Sequence, residues 1–180
     1  MTLITKKKPS IMTTCIKRCN AEMLDLYENY KCFHSIKLHV NNEDVHFIIE
    51  KCGGNEYKFL LSSKYPFHEP KLLINNKLYV SNILQTPRSE RIRHLFNKYN
   101  LKCMCCSSIL YDKNWSPACR IQSVLNEIEQ INIIKKYVKH YLILDDICIV
   151  KNTHTDTIGM IILDFLLDNP FNGTLFCKVN

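Results

Sequence analysis

Apolar and polar positions alternate along this chain with two different periods, and the change from one to the other marks out its elements. Ile16, Cys19, Met23 and Leu26 recur at helical spacing, which predicts an amphipathic helix from about Ile11 to Asn29. The period then drops to two: Ile36, Leu38 and Val40 share one face and Lys37 and His39 the other. The turn residues Asn41 to Asp44 lead to a second strand, Val45 to Glu50, and Gly53-Gly54 to a third carrying Tyr57, Phe59 and Leu61. A short fourth strand, Leu72 to Asn75, follows the proline-bracketed segment Tyr65 to Pro70. The pattern is α+β: an N-terminal helix, a four-stranded antiparallel meander and C-terminal helices.

Beyond Gln85-Thr86-Pro87 the helical period returns in Ile92, Leu95, Phe96 and Tyr99, predicting a short helix over 89–99. A longer helix is expected to start near Pro117 and to bury Ile121, Val124, Leu125, Ile128 and Ile131. Residues 142–150 read as β-like and 156–167 as helical. The expected organisation is a flexible basic tail over 1–10, a core domain over 11–138 and an extension over 139–180 packed on the core.

The chain has 180 residues, 46% of them hydrophobic and 23% charged, enough apolar side chain for a core. Its longest apolar stretch, Ile158 to Leu167, is interrupted by Asp164 and too short for a bilayer. The N-terminal lysines have no apolar segment behind them, so no signal peptide is visible. The reading is a protein of the cytoplasm or nucleus, not secreted and not membrane-bound. The net charge is 24 − 17 = +7. It comes mainly from lysines scattered among Asn and Ile, the residues an AT-rich gene over-uses. Arg88, Arg91, Arg93, Lys98 and Lys102 form the densest cluster, a weak footprint, and nucleic acid is not expected as a partner.

Ten cysteines in such a chain read as thiols. Cys103 and Cys106 have C-x-x-C spacing, but no second pair of Cys or His answers them, so no metal and no cofactor is expected. The run Cys103 to Leu110 can hold a reactive thiol, or simply small buried apolar groups. Tyr65 to Pro70 and Trp115 to Ala118 are stiff proline loops, which either display their aromatic residues or bury them.

Taken in order, these motifs resemble the ubiquitin-conjugating enzyme family. The resemblance rests on Tyr65, Pro66, Phe67 and Pro70; Lys77, Tyr79 and Asn82; Cys106, Ile109 and Leu110; and Trp115, Ser116, Pro117 and Ala118. Ile16-Lys17-Arg18 with Glu22, Leu24, Asp25 and Leu26 is similar to the family's first helix, and Gly53-Gly54 lies near its paired glycines. The likeness spans about residues 12–132. It implies a ubiquitin-conjugating-enzyme-like fold and a Cys106 thioester that carries ubiquitin or a ubiquitin-like protein to a substrate lysine or a ligase.

The same resemblance implies that Asn82 serves the oxyanion or holds the site's loop, with turn formation as its alternative. It places Ser108 beside the incoming lysine. It implies partner contacts at Lys17, Arg18, Phe67, Pro117 and Ala118, with the activating enzyme, ubiquitin ligases and protein substrates as partners.

Two departures stand out. Val80-Ser81 replaces the family's His-Pro before Asn82, and an insert at about 84–102 separates Asn82 from Cys106. The family's acidic loop also has no clear equivalent; Lys139, His140, Asp145 and Asp146 stand in that region. These departures motivate a second expectation, a non-catalytic adaptor of the same fold that binds ubiquitin or a partner enzyme.

Overall fold

A computed structural model describes residues 11–29, 33–41, 45–83, 89–98 and 103–150 of the chain. The expected tail over 1–10 and the expected helix over 156–167 lie outside the described residues, as does most of the extension. The chain divides into two compact units, residues 1–85 with 105–124, and residues 86–104 with 125–180.

The first unit opens with α1, Ile11–Asn29. Its buried stripe is Cys15, Cys19, Glu22 and Leu26, while Ile16 and Met23 are only half-buried. The stripe is therefore turned by one residue from the expected phase, because Glu22 faces inward. The Asn29 carboxamide donates to Asp25 O at 2.8 Å and satisfies a carbonyl of the last turn.

Five antiparallel strands follow in sequential order: β1 Phe33–Val40, β2 Val45–Lys51, β3 Glu56–Leu61, β4 Lys71–Ile74 and β5 Lys77–Leu78. The register pairs Ile36 with Ile49, Phe47 with Phe59, and Phe59 with Leu72, so one face collects the buried side chains. Phe47 and Phe59 meet edge to face, with ring centroids 6.5 Å apart. On the other face the Ser35 hydroxyl donates to Glu50 at 2.6 Å and Lys37 pairs with it at 2.9 Å. Both hold the Glu50 carboxyl below the usual carboxylate range. Tyr27 OH donates to Ile36 O at 3.2 Å and ties α1 to β1.

The meander has one more strand than its alternation predicts. Asn75 (φ 49°) and Asn76 (φ 62°) both sit in the left-handed region that asparagine tolerates, and they turn the chain into β5. Asn75 Oδ1 accepts from Glu56 N at 2.9 Å, which anchors that turn to β3. A single π-helical turn, Tyr79–Ile83, follows and buries Tyr79.

In the second unit α2, Glu90–Lys98, lies within one residue of its expected ends and buries Ile92, Leu95 and Phe96. The long helix α4 runs Ile121–Val150. It starts later than Pro117 and continues through the stretch 142–150 that read as β-like. Leu125, Ile128, Ile131, Ile134, Tyr137, Val138 and Tyr141 keep one buried face without a break. No proline or glycine interrupts 121–150. Among the described side chains that face ends at Tyr141, and the helix continues from it through 142–150 despite the local preference of branched residues for strand. α4 also passes unbroken through residue 138, where the extension was expected to begin. Arg91 of α2 pairs with Asp145 and Asp146 of α4 and donates to Leu142 O at 3.3 Å.

Candidate active site

The site is built in the first unit, on the segment 105–124 and the loop before β4. Cys106 belongs to α3, a helix of only four residues, Met104–Ser107. Its thiol is exposed, and the Cys105 sulfur lies 3.8 Å from it. Four such residues cannot sustain a helix by themselves, so the loop that follows has to hold them. Ser108 Oγ accepts from Leu110 N at 3.1 Å, Tyr111 N donates to Ser108 O at 3.0 Å, and Asn114 N donates to Tyr111 O at 2.8 Å. The Asn114 carboxamide returns to the start of this loop: Nδ2 lies 2.9 Å from Cys106 O and 2.9 Å from Ser108 O.

Trp115 joins this loop to the proline loop before β4. Its indole N–H donates to Pro66 O at 2.7 Å, and its ring lies 6.1 Å from that of Tyr65. The Tyr65–Pro66 peptide is cis. Phe67, one residue on, is 71% exposed, whereas Tyr65 is buried. The two stiff loops therefore bury Tyr65, half-bury Trp115 and display Phe67.

Glu22 of α1 lies under both loops. It is 3% exposed and takes three donors: Tyr65 OH at 2.7 Å, Arg18 Nε, and the first backbone N–H of α4, Ile121 N, at 2.8 Å. A carboxylate at a helix N-terminus meets both an orphan N–H and the positive end of the dipole. Burial and the Glu22 charge push the Tyr65 phenol well above its usual range. Arg18 also donates to Pro117 O at 3.4 Å and Cys119 O at 3.2 Å, and Arg120 pairs with Asp25. The first helix, the Phe67 loop and the Trp115 loop are thus one bonded frame.

The expected site residues take distinct places. Cys106, Phe67, Lys17, Pro117 and Ala118 are exposed. Arg18 is committed to Glu22 and to two loop carbonyls. Ser108 is 2% exposed, with its hydroxyl inside the turn. The backbone of Asn82 lies in the π-helical turn after β5, and its side chain is outside the described residues. Asp145 and Asp146 are engaged by Arg91 in the second unit. Arg91 therefore brings little free charge to the basic cluster, and Arg88 and Lys102 lie outside the described residues. At this site the Cys105 and Cys106 sulfurs approach each other, offering two of the four ligands a structural zinc takes. No helix of the described residues is long and apolar enough to cross a membrane.

Asn114, Glu22 and Asp25 were not singled out as site residues by sequence. Glu22 had a signal, a charged residue at a position continuous with the apolar stripe of α1. Asn114 had none, because its contacts arise only when the loop closes. No family model matches the chain, and no curated protein and no solved structure matches it.

Proposed function

We propose that the chain is a ubiquitin-conjugating enzyme with a ubiquitin-conjugating-enzyme-like fold, carrying ubiquitin or a ubiquitin-like protein on Cys106. The observation that carries this reading is the exposed Cys106 thiol, held by a loop whose Trp115 is bonded to the Phe67 loop and whose backbone is bonded to α1. An acyl carrier needs such an arrangement: a soft nucleophile open to a large donor, on a backbone that does not yield as the donor leaves.

In the proposed cycle the Cys106 thiolate attacks the carbonyl carbon of the thioester on the activating enzyme. The new C–S bond forms at Cys106, the old one breaks, and the activating enzyme's thiol leaves with the electron pair. A lysine amine or ligase thiol then attacks the same carbonyl, Cys106 leaves as thiolate, and the amine's proton passes to solvent. Asn82 is the proposed donor toward the oxyanion. Phe67, Pro117 and Ala118 form a rigid apolar anchor for the activating enzyme and ligases, and Lys17 adds an exposed cation. Ser108 supports the turn with its buried hydroxyl. Arg18 holds the Pro117 loop in shape.

The test is a thioester assay with activating enzyme, ATP and ubiquitin or its relatives, resolved on a gel with and without reductant. A reductant-sensitive band is expected. It vanishes in Cys106→Ala, becomes reductant-resistant in Cys106→Ser, and largely persists in Cys103→Ala and Cys105→Ala. Absence of the band with every modifier would replace this reading with that of a non-catalytic adaptor.

A further inference from the structure

We propose that Asn114 is a positioning residue for the Cys106 thiol, a role that rests on the acyl-carrier reading above. A carboxamide nitrogen carries two hydrogens, and Asn114 Nδ2 lies 2.9 Å from each of two carbonyl oxygens, those of Cys106 and Ser108. Both donors are used, and the amide bridges the peptide groups on either side of the Ser107-Ser108 pair. Turning the amide over would set its oxygen against two carbonyls, so the bonding pattern fixes its orientation.

The bridge has a firm foundation. Asn114 N donates to Tyr111 O, and the next residue, Trp115, is held by Pro66 O and the Tyr65 ring. A side chain eight positions downstream thus transmits the rigidity of the frame to the backbone of the nucleophile. Asn114 itself is exposed. Substitution there removes the bridge without opening a hole in the core.

Thioester exchange requires sulfur to approach the carbonyl along a narrow line, and misplacement by about 1 Å costs on the order of 100-fold in rate. Asn114→Leu keeps the branched heavy-atom skeleton and loses both donors, while Asn114→Gln keeps the donors on a stem one methylene longer. In single-turnover loading of the full-length protein from charged activating enzyme, Asn114→Leu should lower the maximal rate about tenfold. The half-saturating concentration should stay within about twofold of wild type, since no partner contact is removed. Asn114→Gln should recover much of the rate.

Wild-type rate in Asn114→Leu would overturn the role, and so would a loss confined to the half-saturating concentration or a Gln variant as slow as Leu. The bridge is read separately, without any modifier, from the Asn114 side-chain amide protons by NMR. Slow exchange of both with water is expected, and fast exchange of both overturns it. A wild-type protein that forms no thioester removes the catalytic role together with the acyl-carrier reading, while the amide signals still report the bridge.

Discussion

Glu22 is a carboxylate taken out of water with its compensation built around it: a phenol, a guanidinium and a helix N-terminus. Removing one member of a buried charged cluster strands the others, which costs more than the cluster contributes by existing. Glu22→Ala is therefore expected to lower unfolding stability by about 3 kcal/mol, read from urea midpoints, with Glu22→Gln falling between it and wild type. Tyr65 gives a pH signature. Its phenol is raised in the folded state, so its contribution is complete below the unfolded pKa of about 10 and declines as pH rises beyond it. Tyr65→Phe loses the bond to Glu22 and is less stable at neutral pH. Its urea midpoint then falls less steeply than that of wild type between about pH 9 and pH 11.

At the scale of elements, Arg91 joins α2 to α4 through Asp145, Asp146 and Leu142 O. The guanidinium is partly exposed, so the pairing is screened. Arg91→Ala is expected to cost about 1 kcal/mol or less, with a smaller difference at high salt. Hydrogen exchange of the α2 amides should quicken more than that of β2 and β3. The strands β1 to β3 were legible because alternation over several residues fits a sheet with one buried face and does not fit a helix, while the four residues of β4 were marked out by the proline-bracketed loop before them. β5 was not, because two residues show no period; the Asn75-Asn76 pair was its one trace. α1 was legible but phased one residue off, since Glu22 counts as polar in any apolar pattern. The stretch 142–150 read as β-like because branched residues favour strand locally, whereas it continues the helix whose buried face runs up to Tyr141. Within the candidate site, Cys106 and the two proline loops stood out by residue type and order. Asn114 and the bonds of Glu22 did not, because their roles exist only between segments that folding brings together.

The whole molecule is threaded discontinuously. The chain leaves the first unit after residue 85, returns at 105 and leaves again at 124, while α4 runs through that last boundary as one helix. No single cut separates two such units. Trp115, the one tryptophan, reports on the first unit, and helical circular dichroism draws on both. Urea unfolding followed by the two signals should give coincident transitions, because fraying of α4 in either unit reaches the other along the helix. Separated midpoints would show that the units unfold independently.

The sorting of cysteines between interior and surface also decides how the protein ages. Cys15 and Cys19 are buried, and the bond to Cys15 together with burial raises the Cys19 thiol far above the range where it would react. Cys52, Cys103 and Cys106 are open to solvent. Dissolved oxygen and peroxides will therefore meet these thiols first and leave the core intact. A preparation can keep its fold and its solubility on the shelf while losing the thiol at position 106. The fraction of titratable exposed thiol, rather than the melting temperature, is the quantity that certifies a sample as fresh.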